Sequence, residues 1–410
     1  MTKQSGLLFL CWALYTCSLI GKVNYSACIP QVIDFYGVRH DQAGMVSTFF
    51  FFAYGAGQII NGLFCKKYNI KLVVFLGMTL SGGANLFVAL TKNFTVIKYL
   101  WAINGFGVSV LWPCLVRLIS ETFPRKSVGK ASVIMGTTTA TGTLVIYGLS
   151  SIFAAFNAFK LSFFTAAVAL PAMGLIWFLS YDKLAVKVDD EEECVYQAPT
   201  AYNGEKKRDN RALVCVCLLG LIAVATNLIK DGLTTWVPSI LKETYGLNDS
   251  LSVLLTLFLP VLAIFGNATA LWLYHKAKDF IAVSLWVFSG IALLIGVVIG
   301  FLSIGVFVVT LASFAIVCLL ASASNSNITS ICPLYMKGKF NSGMLAGLLN
   351  GCCYVGSAIS SYGLGVVRTY FGWNAVFYLL LGSACVVVLI SVVYLLIGKA
   401  LQAKKQKNAD

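Results

Sequence analysis

The sequence predicts an all-α membrane protein with twelve transmembrane helices in two pseudo-symmetric six-helix bundles. Three observations predict it. Of the 410 residues, 59% are hydrophobic and only 11% are charged, too few charges to cover a soluble domain of this length. The apolar residues gather into runs of the length, about 20 residues, that a helix needs to cross a bilayer. The pattern around the first run recurs in the seventh at a nearly constant offset.

The runs fall at 7–33, 43–65, 72–91, 96–120, 131–156, 161–181, 212–238, 251–274, 280–301, 303–330, 343–367 and 375–398. They continue from one end of the chain to the other, which excludes a soluble enzyme on a single anchor. The first run is not expected to be a cleavable leader, because it continues past Gly21 with a lysine inside it and lacks a small-residue cleavage site. The one long polar interruption, 182–211, holds the acidic run Asp189 to Glu193 and the basic run Lys206 to Arg208. It is expected to be a solvated linker. The expected domains are therefore an N-terminal bundle over 1–181, the linker 182–211, a C-terminal bundle over 212–398 and a tail over 399–410.

Basic residues set the orientation. Twenty-one of the 30 Lys and Arg residues fall on the side that carries both termini, six on the opposite side and three inside spans. By the positive-inside rule both termini are expected in the cytoplasm, with the plasma membrane as the expected location. The net charge of +14 is spread between the spans rather than gathered on one face, so no nucleic-acid partner is expected. The 13 cysteines lie mostly inside apolar runs without metal-ligand or disulfide spacing, so no metal or cofactor is expected. The expected partners are a lipid bilayer and a small anionic substrate, with the protein acting as a monomer.

The repeat is plainest at the first and seventh spans. Lys22, Ser26 and Pro30 correspond to Lys230, Thr234 and Pro238 at an offset of 208. Both prolines lead to a similar exit, ending at Gly37 and Gly246. Six spans per half return the chain to the same side, so the halves are expected to be parallel repeats about an axis along the membrane normal, with a binding site where they meet.

Lys22 and Lys230 are the charges in the wrong place. An ammonium at the bilayer centre costs roughly 2.5–3.5 kcal/mol or more. Asp231 is the sole carboxylate at comparable depth, and one acid cannot neutralise two lysines. An anionic substrate held between the halves would satisfy the remainder. Ser26 and Thr234 sit one turn beyond the lysines, and Tyr25 at i+3 offers a phenol donor. Asn24 is a further binding candidate that also suits a bridge between helices. Asp231 is the candidate for proton coupling. Arg117, near a span end, is expected to snorkel or anchor a loop. Glycines and threonines over 136–142 and small residues over 351–361 are expected to permit close helix contact.

A base, an asparagine two residues on and a proline eight residues on (Lys22, Asn24, Pro30) resemble the opening of major facilitator superfamily transporters of organic anions. The likeness is closest to the organophosphate:phosphate antiporters, such as the glycerol-phosphate and hexose-phosphate transporters. Ala53 to Gly55, the Trp112, Pro113 and Arg117 block, Trp236 with Pro238, and Phe371 to Trp373 extend it over most of the chain. The resemblance implies that the bases of spans one and seven grip phosphate. They fall on Lys22 and Lys230, where the family usually has arginine; lysine lacks the bidentate fork. The family's span-two lysine falls at Gln58 and its mid-chain histidine near Thr138. The expected function is secondary active transport of a small organic anion, a sugar phosphate or other organophosphate exchanged for phosphate, by alternating access. The alternatives are a proton-coupled symporter of a sugar acid or other carboxylate, whose family shares the span-one pattern, and a non-transporting anion sensor. No enzyme is expected: both histidines, His40 and His275, lie in loops, and no carboxylate pair appears at depth.

Overall fold

In lipid every backbone polar group must be satisfied within its own segment, so a chain this apolar folds as helices. The computed structural model describes residues 3–64, 67–123, 125–185, 210–302, 305–336 and 342–407, and its regular structure is helical. The acidic and basic runs of the expected linker lie outside the described residues, as does the Cys65–Lys66 part of the repeat.

The helices, in chain order, are α1 (Lys3–Tyr36), α2 (His40–Phe64), α3 (Ile70–Leu90), α4 (Phe94–Ser109 and Leu111–Thr122), α5 (Arg125–Gly136 and Thr138–Ala155) and α6 (Lys160–Leu184). After the linker come α7 (Asn210–Tyr245), α8 (Asp249–Thr256, Phe258–Ala263 and Gly266–Ala277), α9 (Phe280–Leu302) and α10 (Phe307–Ser326). A π-helical turn, Asn327–Ile331, and a short helix, Cys332–Tyr335, continue α10. The final 66-residue stretch is two helices broken at Gly372 (φ 81°, ψ 177°), here α11 (342–371) and α12 (373–407). Eleven stretches are long and apolar enough to cross a membrane, and dividing the last at Gly372 makes twelve spans among the described residues. Only a residue without Cβ adopts that φ readily. The last helix runs past the expected end at 398 to Lys407.

Local signals explain the ends. Asn69, Asn93 and Asn248 cap α3, the first part of α4 and α8 through their side-chain oxygens. Gly37 (φ 62°) and Gly246 (φ 65°) end α1 and α7 in the left-handed conformation, so the repeated exits share one backbone device. Pro30 and Pro238 lie inside continuous helix, which packing against neighbours permits in a membrane.

Six helices stand on either side of the linker. They meet where α2 packs on α11, α5 on α8 and α1 on α7. Small residues make the contact close. A Cβ on Gly44 would meet the Ser361 carbonyl at 2.1 Å, and one on Gly365 the His40 carbonyl at 2.6 Å. The glycine-rich segments also pack closely as expected. A Cβ on Gly142 would meet the Thr16 carbonyl at 2.5 Å, and one on Gly356 the Val224 carbonyl at 2.2 Å.

The first half has a polar core beside Lys22. Asn24 Nδ2 donates to Asn85 Oδ1 at 2.8 Å, Asn85 Nδ2 to the Ser81 carbonyl at 2.9 Å, and Asn104 Nδ2 to the Gly21 carbonyl at 2.7 Å. Ser81 Oγ donates to Asn104 Oδ1 at 2.5 Å. These four side chains are fully buried and fasten α1 to α3 and α4. A satisfied buried network of this kind fixes one arrangement of its helices.

Candidate anion site between the two halves

Lys22 and Lys230 come to the interface between the halves, but into different surroundings. Lys22 Nζ stands 4.0 Å from the centroid of the Tyr54 ring on α2. No carboxylate pairs with it among the described residues. Lys230 Nζ lies 4.0 Å from Asp231 Oδ1, with side chains 26% and 19% exposed. The other carboxylate oxygen of Asp231 accepts a hydrogen bond from Ser357 Oγ of α11. Lys22 interacts electrostatically with both Lys230 and Asp231, so all three charges share one region. Magnitudes show what remains uncompensated. A cation–π contact contributes about 0.5–2 kcal/mol, less than the roughly 2.5–3.5 kcal/mol or more that a midplane ammonium costs.

The polar neighbours expected from the sequence divide. Ser26 is partly exposed beside Lys22. Thr234 Oγ1 is 3.1 Å from the Lys230 carbonyl and 3.2 Å from that of Asp231, and its own carbonyl accepts from Tyr147 OH of α5 at 3.3 Å. Tyr25 and Asn24 are turned to structural work. Tyr25 OH donates to the Ala43 carbonyl of α2 at 2.9 Å, and its ring packs 5.4 Å from that of Trp101. Asn24 is held in the network with Asn85 and also accepts from the Tyr25 amide. Both side chains are fully buried. The reason is helical register: i+2 and i+3 from Lys22 lie on the α1 faces packed against α2 and α3. Arg117 Nε lies 2.7 Å from Glu121 Oε1 one turn on, and its Nη1 reaches the Tyr68 carbonyl in the α2–α3 connection at 3.5 Å.

Other residues of this region have no distinctive sequence signal. Tyr54 and Tyr354, from α2 and α11, meet edge to face with centroids 5.0 Å apart. Gln58 Nε2 donates to Tyr54 OH at 2.9 Å, and Asn350 Nδ2 donates to Gln58 Oε1 at 3.3 Å. These contacts cross between the halves on the terminal side of the lysines. Tyr15 interacts electrostatically with Lys22 and Tyr54, and its ring packs 4.9 Å from that of Trp112. Gln58 could have been found, since it stands where the resembling family has a lysine. The tyrosines and Ser357 depend on which helices face each other.

The end of the molecule away from the termini is bolted across the halves. Glu243 of α7 accepts from His40 Nε2 of α2 at 2.6 Å, from Arg368 Nη2 of α11 at 2.6 Å and from Trp373 Nε1 at 3.0 Å. Lys242 bridges Asp34 of α1 at 2.5 Å and Asp249 of α8 at 2.8 Å. Asp34 and Lys242 are themselves 208 residues apart, the repeat offset. Equivalent positions of the two halves thus meet across the pseudo-twofold axis with opposite charges. Toward the terminal end, an open groove of about 570 Å³ lies between α1 and α5, lined by residues including Trp12, Lys130 and Ile134.

Comparison with known proteins places this geometry. The model of the Major Facilitator Superfamily matches residues 11–361. Sugar phosphate exchanger 3 of Homo sapiens is 23% identical over 400 residues, covering 85% of this chain and 79% of that one. The hexuronate transporter of Bacillus subtilis (strain 168) is 26% identical over 254 residues, 58% of each chain. Among solved structures, a bacterial homologue of the human lysosomal transporter Spinster, inward-facing and occupied, superposes with a TM-score of 0.75. It covers 98% of this chain and 97% of its own at 14% identity, a likeness of fold alone.

Proposed function

We propose, from the premise that this chain belongs to the Major Facilitator Superfamily, that it is a secondary active transporter exchanging a sugar phosphate or other small organophosphate for phosphate. The observation that supports this reading is a pair of equivalent lysines, one per half, of which Lys230 has a carboxylate beside it and Lys22 stands against a ring. Lys22 and Lys230 grip the anion, with Ser26 and Thr234 as hydroxyl neighbours and with Tyr25 and Asn24 holding the α1 backbone around Lys22. The anion offsets the repulsion between the lysines and so favours closure of the halves about it, the step on which alternating access turns. The domain division is at 182–211. The termini lie in the cytoplasm of a plasma-membrane protein that acts as a monomer. In that orientation the ion pairs of Glu243 and Lys242 close the outward face. The names of the relatives, a sugar phosphate exchanger and hexose phosphate transport proteins, support the substrate class. No catalysis, cofactor or metal enters this mechanism.

A second reading has its own support. Asp231 stands beside Lys230 and is placed to carry a proton, and one relative is named a hexuronate transporter. That reading is proton-coupled symport of a sugar acid or other carboxylate. Purified protein in liposomes loaded with phosphate separates the two. Exchange predicts uptake of labelled glucose 6-phosphate that requires internal phosphate and persists without a pH gradient. Uptake of glucuronate that requires an inward proton gradient and ignores internal phosphate would replace exchange with symport. Saturable binding of either anion without flux would identify a sensor.

A further inference from the structure

Charge at the site is countable. Among the described residues, with the last stretch divided at Gly372, only Lys22, Lys230 and Asp231 carry charge more than about ten positions from either end of a span. Asp231 is held in place from both sides, by Lys230 and by Ser357 Oγ. It is therefore a fixed member of the site rather than a side chain that swings away when a ligand arrives. The side chains of the site carry two positive charges and one negative, a net single positive charge. A ligand with one negative charge brings the closed site to neutrality. A ligand with two leaves an uncompensated negative charge near the bilayer midplane, next to a carboxylate, where a lone charge is costly.

We infer that Asp231 makes this a valence-selecting site. It takes a monoanion, either a carboxylate or a phosphate ester that retains one proton, and disfavours the doubly ionised phosphate. The inference rests on the reading of Lys22 and Lys230 as the anion grips. It adds to that reading a specificity-determining residue and the ionic form of the ligand. The two chemical sources of a monoanion differ in one measurable way. A phosphate monoester loses its second proton near pH 6, whereas a sugar acid has ionised fully well below pH 5. Between pH 5 and pH 7.5 the singly charged fraction of a sugar phosphate falls about thirtyfold, and that of glucuronate barely changes.

The side chains facing Asp231 are Lys22 on α1, Lys230 on its own helix, Cys318 on α10, and Cys353, Tyr354 and Ser357 on α11. The glucuronate arm controls for any titration among these groups or at His40, since such a change would move both ligands together.

The test is equilibrium binding to the full-length protein in detergent at pH 5 and pH 7.5, with glucose 6-phosphate and glucuronate as probes. In the wild type, glucose 6-phosphate affinity should fall about thirtyfold across this range while glucuronate affinity changes less than about threefold. Asp231→Asn should flatten the glucose 6-phosphate dependence to within about threefold by admitting the dianion, and Asp231→Glu should restore it. Glucuronate bound at both pH values with no glucose 6-phosphate bound at either would overturn valence selection, because at pH 5 the phosphate ester is also a monoanion and the site would then be reading the carboxylate itself. Glucose 6-phosphate bound equally at both pH values, with binding lost in Lys22→Gln and Lys230→Gln, would overturn valence selection and leave the grips standing. Undiminished binding of both probes by those two lysine variants would overturn the grips, and valence selection with them. The wild-type comparison decides the matter even if Asp231→Asn does not fold.

Discussion

Lys22 and Lys230 stand at equivalent places in the two halves, yet one faces an aromatic ring and the other a carboxylate. Lys22 lies against Tyr54, on a helix fixed by an asparagine network to α3 and α4. Lys230 lies against Asp231, which Ser357 holds toward α11. The positions are alike in the repeat, and their surroundings differ. The first half supplies a charge set against a ring, with no carboxylate at ion-pair distance among the described residues, and the second supplies one with a carboxylate beside it. In the proposed function such a pair gives a site that is positive by one unit and presents two ammonium donors, one from each half.

The strongest way to break this comparison is to remove either ammonium. Lys22→Gln and Lys230→Gln should each reduce transport by at least about thirtyfold, since truncating one partner of a buried charged contact costs about 2–5 kcal/mol. Membrane insertion should be retained, as judged by monodisperse elution. The double variant Lys230→Gln with Asp231→Asn restores a single net positive charge. It should recover anion binding to within about tenfold of wild type but not exchange, because the second half then has no grip. Recovery of neither would show that the charge sum does not govern the site.

The bolts at the far end come next. Glu243→Gln weakens a carboxylate that three donors share, at a cost of about 1–3 kcal/mol. Hydrogen exchange over 36–42 and 243–250 should speed up by roughly five- to a hundredfold, while α3 and α6 remain unchanged. Unaltered exchange there would remove the bolts from any role in closure. Asn24→Ala should lower thermal stability by about 1–3 kcal/mol, the cost of leaving buried polar partners unsatisfied. It should change anion affinity less than about threefold, whereas a larger loss would return Asn24 to direct contact with the ligand. The smallest effect belongs to Tyr54→Leu, which removes the ring under Lys22. A loss of about two- to thirtyfold in affinity follows from the 0.5–2 kcal/mol of a cation–π contact, and Tyr54→Phe should keep most of that affinity.

Much of this was legible in the sequence, for physical reasons. Apolar length marked the spans because lipid forbids unsatisfied backbone, and the offset of 208 carried the lysines and the prolines together, with the terminal glycines one residue further apart. The same offset joins Asp34 to Lys242, a pairing across the axis that opposite charges at equivalent positions could have announced. Asp231 was visible as the one mid-depth acid, but whether it served Lys22 or Lys230 depended on rotamers that spacing does not fix. Tyr54, Tyr354 and Ser357 were hidden because the facing of α2 and α11 is set by tertiary packing around glycines such as Gly44 and Gly365. Asn24 and Tyr25 illustrate the converse. Proximity in sequence to a functional lysine placed them as ligands, whereas helical register turns them into the scaffold that holds it. The break at Gly372 explains why two spans read as separate runs emerge as one nearly continuous stretch.

The central claim is that one anion is gripped from both halves by Lys22 and Lys230. Phosphate counterflow in liposomes tests it most directly, with wild type, Lys22→Gln and Lys230→Gln reconstituted at equal protein content. The account predicts accumulation of labelled phosphate by the wild type and background levels for each variant. Accumulation at the wild-type rate by both variants would contradict it.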